Sequence, residues 1–191
     1  TSGPRDFTEF PAQILEHWAS EPEVLKTFAI HHETGETIPD DLINKLLNAS
    51  KFNQGFINTE YLAASLLDMD WHTISYNDDL KDANKFEIES MEKYGLINEI
   101  APRYRSTYFA HIFSGGYSSG YYSYVHSAVL DSDGFEAFKE TGNVFDKDLA
   151  NKLRTHVYEK GSTEEAMDLY VKFRGKKPMI EPLLRVRGLD K

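Results

Sequence analysis

The sequence predicts an all-α fold, and three observations carry that prediction. Apolar residues recur at steps of three and four far more often than they alternate. Capping and stop residues stand at the ends of those runs. No internal repeat, low-complexity tract or linker rich in Pro, Gly or Ser divides the chain, so one compact multi-helix unit over residues 1–191 is expected.

The elements follow in order. Asp6 stands three residues before Glu9 and reads as an acidic relative of the capping box, opening a helix with Ile14, Leu15 and Trp18. Ser20 before Glu21-Pro22 predicts an N-cap with proline in the first turn. The helix it opens carries Val24, Leu25, Phe28 and Ala29 and is stopped by Gly35, with His31 and His32 about 100° apart, one partly buried and one solvated. Another helix is expected near Pro39. A long one from about Lys51 to Ile74 places Tyr61, Leu62, Ser65, Leu66, Met69 and Ile74 on or near one face, as the central helix of a bundle would. Asp146 caps a helix in which Leu149, Leu153 and Val157 repeat every four residues, and Gly161 supplies a left-handed stop. Ser162 with Glu165 then makes a capping box for a helix ending at Gly175.

Composition excludes several function classes. The 191 residues hold 21 Lys+Arg against 31 Asp+Glu, a formal charge of −10, and 40% are apolar. A chain of this size buries roughly two-thirds of its unfolded surface and needs no staple. Cysteine is absent, which removes disulfides, Cys-ligated metal and a thiol nucleophile. The acidic balance, with scattered Lys and Arg, argues against nucleic acid. No apolar run approaches the roughly 20 residues that span a bilayer, so no membrane is expected. The opening Thr1-Ser2-Gly3-Pro4-Arg5-Asp6 lacks an initiator Met and a signal-peptide pattern, and reads as a cut inside a longer protein.

Two segments break the helical pattern. Pro102 to Tyr124 holds six of the eleven tyrosines. Gly115-Gly116 interrupts any regular helix and predicts a hinge loop, with His111 on one side and tyrosines on the other. A helix restarting near Tyr117 would project Tyr117, Tyr121 and Tyr124 from one face. Phenol and imidazole N–H groups suit a carbonyl oxygen that becomes an oxyanion, or the backbone of a bound peptide. Residues alone leave a second reading open, in which the rings simply pack in a core and the histidine is structural. Arg103 and Arg105 could take a substrate carboxylate, although salt bridges are the default for each.

The second segment is Asp6-Phe7-Thr8-Glu9-Phe10-Pro11-Ala12-Gln13. A catalytic zinc is usually held by three protein ligands, and one helical carboxylate supplies only one. None of the seven histidines pairs with another at i and i+4, as H-E-x-x-H requires. In His32-Glu33-Thr34-Gly35-Glu36 the last position is Glu and Gly35 breaks the helix. Asn48-Ala49-Ser50 matches a glycosylation sequon only as common three-residue motifs do. No phosphate-binding glycine loop and no G-x-S-x-G occur.

Taken in this order, the two segments resemble the C-terminal part of the zinc-dependent oligopeptidases of the thimet oligopeptidase family, most closely their bacterial peptidyl-dipeptidase branch. The resemblance spans the chain and is most specific at Arg5 to Gln13, at Tyr61-Leu62-Ala63-Ala64-Ser65-Leu66-Leu67-Asp68-Met69, and from Arg103 to Tyr124. Arg174-Gly175-Lys176 through Arg187-Gly188-Leu189 fits as well. It implies a C-terminal part of a zincin-like catalytic domain over 1–191, with Glu9 as the third zinc ligand. It implies that His111, Tyr117 and Tyr124 bind the substrate backbone and stabilise the tetrahedral intermediate, with Gly115, Gly116 and Tyr121 completing the substrate-binding loop. Ser114 departs from a three-glycine run common in the branch, and Val125-His126 replaces a common Leu-Trp pair. The H-E-x-x-H of the family, which supplies two zinc-binding histidines and the general base, is missing from this chain.

The resemblance therefore implies a parent that binds one zinc per complete site and releases C-terminal dipeptides from short peptides, in the cytoplasm or alternatively the periplasm. The chain alone is expected to be inactive. Its expected partners are short peptides, the preceding part of the same protein and a second copy of itself, since a missing helix would expose apolar surface near residues 1–20. The alternatives are an endopeptidase and a non-catalytic helical module that binds peptides through the tyrosines.

Overall fold

The computed structural model describes residues 3–76 and 81–190; Thr1 and Ser2 of the expected cut lie outside them. Among the described residues the fold is helical, and the only extended pairing is an isolated antiparallel bridge between Ile30 and Thr37. Among the described residues nine α-helices follow one another: α1 (Phe10–Glu16), α2 (Pro22–Phe28), α3 (Asp40–Ala49), α4 (Gln54–His72), α5 (Ala83–Lys93), α6 (Ser123–Thr141), α7 (Lys147–Leu153), α8 (Ala166–Arg174) and α9 (Glu181–Arg187). No described helix is long and apolar enough to cross a membrane.

Backbone contacts group the chain into two units, one built from the chain up to Phe52 and from Val125 onward, the other from Asn53 to Tyr124. The first unit encloses an aromatic core. Phe10 and Ile14 of α1 meet Leu130, Phe135 and Phe138 of α6 and Tyr170 and Phe173 of α8. The approach is close enough that a Cβ at Gly134 would stand 3.0 Å from Ile14 Cδ1 and 3.2 Å from the Phe10 ring. A larger residue there would force the helices apart. One polar network leads from this core to the surface. Arg174 Nε donates to Asp133 at 3.1 Å, its two terminal nitrogens reach Glu140 at 2.8 Å, and the Tyr170 hydroxyl donates to Asp133 at 2.6 Å.

The second unit packs α4 on α5 through Ala63, Leu67 and Met91. Its apolar face differs from the expected one. Ala63, Ala64, Ser65, Leu67 and Asp68 are buried, whereas Leu62, Leu66 and Met69 are exposed. Small side chains let neighbouring rings sit against the helix backbone, and spacing alone favours the larger residues.

Other elements start or stop elsewhere than the sequence suggests. The Ser20 hydroxyl turns back to the His17 carbonyl, and Glu21 is the N-cap of α2. That helix ends at Phe28, because only Leu25 of its stripe is buried and the backbone then turns into the small bridge. His31 and His32 are therefore not helical; both are exposed, with rings stacked at 5.2 Å. After Gly161 (φ 56°) a further turn intervenes, so α8 opens at Glu165 and Ser162 caps nothing. The Asp146 cap, donated to by Leu149 N–H at 2.8 Å, and the left-handed Gly175 stand where expected.

Candidate active site

In the first unit, Glu9 is the N-cap of α1, with no side-chain cap bond of its own; its main-chain carbonyl accepts from Ala12 and Gln13. Asp6 lies in a 3₁₀ turn rather than at the cap. The Asp6 carbonyl is held by His126 Nδ1 at 3.0 Å and Ser127 Oγ at 3.2 Å, both from α6. The segment is thereby pinned at both ends, and the half-buried Glu9 carboxylate is not spent on capping.

In the second unit, His111 opens a single π-helical turn that ends at Gly115. Such turns occur where a helix must re-aim its side chains. A Cβ on Gly115 would meet the Ala110 carbonyl oxygen at 3.2 Å. The His111 carbonyl then accepts from Tyr117 N–H at 3.0 Å, folding the loop back on itself.

Tyr117 does not restart a helix. Residues 118–122 form consecutive turns, Ser119 takes a left-handed φ of 53°, and α6 begins only at Ser123. The physical reason is Asp68. Its carboxylate accepts Ser119 N–H at 3.0 Å and Tyr121 N–H at 2.9 Å, which holds this stretch in a non-helical turn.

That turn gathers the aromatic groups. The Tyr117 and Tyr124 rings stack at 5.0 Å, and His111 lies 6.1 Å from Tyr117, 5.6 Å from Tyr121 and 6.3 Å from Tyr124. Tyr104 closes the far side of the imidazole at 4.8 Å. His111, Tyr117 and Tyr124 are half-buried, whereas Tyr121 is only 2% exposed and stacks on Tyr61 at 5.2 Å. Burial and the facing Tyr121 phenol push the Tyr61 hydroxyl well above its ordinary range, and burial pushes Tyr121 up as well. Both phenols therefore stay protonated at neutral pH.

Arg103 bonds to Glu60 at 3.3 Å and lies over the Tyr61 ring, and Arg105 pairs with buried Glu87 at 2.6 Å. Glu87 also accepts Ser106 N–H at 2.7 Å, and Ser106 Oγ accepts from Trp71 Nε1 at 2.9 Å, which ties the segment before His111 to α4 and α5. Sequence reasoning missed Asp68 and Tyr104. A carboxylate inside the apolar run Leu66-Leu67-Asp68-Met69, one turn before His72, was the available signal.

Among the described residues no three His, Asp or Glu side chains lie close enough together to hold a metal ion.

The model of peptidase family M3 matches residues 1–189. The chain belongs to peptidase family M3. It is 43% identical over 191 residues to dipeptidyl carboxypeptidase of Escherichia coli strain K12, and 42% identical over 192 residues to that of Salmonella typhimurium; each match covers 100% of this chain and 28% of the relative. Oligopeptidase A of Escherichia coli strain K12 is 32% identical over 191 residues, covering 97% of this chain and 27% of that protein. The chain thus spans little more than a quarter of the length of these M3 relatives.

Proposed function

We propose that residues 1–191 are the C-terminal part of the catalytic domain of a cytoplasmic zinc peptidase that releases dipeptides from the C-terminal ends of short peptides. The observation that carries this reading is the gathering of His111, Tyr117 and Tyr124 beside a glycine loop, in a chain 43% identical along its whole length to a dipeptidyl carboxypeptidase. Zinc, when bound, supplies a Lewis acid and an activated water.

The chain's own residues supply the rest. Glu9 offers a carboxylate ligand on the rigid start of α1. His111, Tyr117 and Tyr124 donate hydrogen bonds to the substrate backbone and to the oxygen that gains charge during attack on the peptide carbonyl. Loss of one such donor costs about 10²–10³ in kcat. Tyr121 is the buried ring against which the others stand, and Gly115 with Gly116 lets the loop close on substrate. The remaining zinc ligands and the general base come from a preceding part of the protein, which is this chain's principal partner.

The test is a chain extended upstream, assayed for bound zinc and for dipeptide release from an N-blocked peptide, with Glu9→Gln and Tyr117→Phe alongside. Glu9→Gln is expected to lose zinc and activity together, and Tyr117→Phe to keep zinc and lose kcat. Absence of both zinc and cleavage in the extended chain would leave a peptide-binding module. Cleavage indifferent to the peptide's free carboxylate would make it an endopeptidase.

A further inference from the structure

We infer that Asp68 is a positioning residue for the tyrosine donors, an inference that rests on the function proposed above. Asp68 lies in α4 and is 0% exposed. A buried carboxylate is costly unless its lone pairs are used, and here each oxygen has a task. Oδ1 accepts Ser119 N–H at 3.0 Å and lies 2.8 Å from His72 Nδ1, and Oδ2 accepts Tyr121 N–H at 2.9 Å. The two donors flank Gly120, so the carboxylate grips the turn at both sides of its centre.

Ser118 Oγ on the Ile112 carbonyl and Gly120 N–H on the Tyr117 carbonyl also hold this stretch. The Asp68 grip matters because it ties the centre of the turn to α4 through a charged group. Upstream, Gly115 and Gly116 leave the backbone loose. At its centre, Ser119 holds a left-handed φ of 53° that serine rarely adopts unaided. Tyr117 and Tyr124 stand on either side of the turn with stacked rings. A carboxylate anchored in α4 therefore sets the spacing of two phenols that it does not touch. Asparagine cannot replace it, since one oxygen acceptor becomes an amide N–H facing another N–H.

The experiment compares Asp68→Asn, Tyr117→Phe, Tyr124→Phe and the double variant of Asp68→Asn with Tyr117→Phe, in the complete protein carrying this chain. Misplacing a donor by an ångström lowers kcat on the order of 10²-fold. Asp68→Asn is expected to approach that loss, with KM and zinc content little changed. The double variant is expected to lose less than the product of the two single losses, because Tyr117 is one of the two phenols that the carboxylate places. Ser119→Gly in the Asp68→Asn background is expected to restore part of kcat, glycine taking the left-handed backbone freely.

Wild-type kcat in Asp68→Asn, or multiplicative losses in the double variant, would overturn the assignment. Unchanged kcat in both tyrosine variants would instead overturn the donor reading on which it rests. Should Asp68→Asn not fold, amide hydrogen exchange of the unmodified protein decides. Ser119 and Tyr121 must be protected although neither lies in a helix, and rapid exchange at both refutes the grip.

Discussion

At the scale of single residues, buried charge is the informative feature. Asp133 is enclosed in the first unit and takes hydrogen bonds from Arg174 and Tyr170. Removing the cation leaves that carboxylate unpaired in the core, so Arg174→Met is expected to lower unfolding stability by about 3–5 kcal/mol in urea titrations. Glu140, the other partner of Arg174, is half exposed. Its hydrogen bond from Arg174 holds its carboxyl below the ordinary 4.5. A depressed carboxyl stabilises the fold above pH 4.5 and loses that contribution as the pH falls through the lowered value. The stability gap between wild type and Glu140→Gln, small and salt-dependent at pH 7, is therefore expected to close in acid; a gap that widens on acidification contradicts the pairing.

At the scale of elements, α4 shows how a helix can carry two apolar faces. Its buried face is built from Ala63, Ala64 and Leu67, and its exposed face from Leu62, Leu66 and Met69. Leu67→Ala is expected to cost about 2–5 kcal/mol, as deletion of a core side chain does. Leu66→Ala, at a position 38% exposed, is expected to cost about 1 kcal/mol or less. Thermal unfolding of the pair checks the assignment, and equal losses would return the core to the face that spacing suggests. The same contrast explains the two misplaced helix starts. Ser20 and Ser162 carry capping chemistry, but the Ser20 hydroxyl bonds back to the His17 carbonyl and the turn after Gly161 carries the chain past Ser162 to Glu165, the N-cap of α8.

At the scale of the molecule, the function proposed above makes the chain one part of a catalytic arrangement. It covers 28% of its dipeptidyl carboxypeptidase relatives, and its described residues assemble no metal cluster. Residues 1–191 alone are expected to release no dipeptide. The apolar surface expected near residues 1–20 is largely covered, since Phe7, Phe10 and Ile14 are buried in the first unit and Leu15 is the exposed large apolar residue there; amide exchange along α1 is expected to be slow.

Much of this protein was legible in its sequence. Helical periodicity, the Asp146 cap and the glycine stops at Gly161 and Gly175 are local signals, set by backbone sterics and by hydrogen bonds within a few residues. Membership of family M3 was legible too, because it rests on residue types in a fixed order. Only the tertiary structure decided which face of α4 is buried, since that depends on which rings lie against it. It also decided that the tyrosines are gathered by a turn rather than by a helical face. Asp68 stands 51 and 53 residues from the N–H groups that it holds, and no local pattern encodes a bond across that separation.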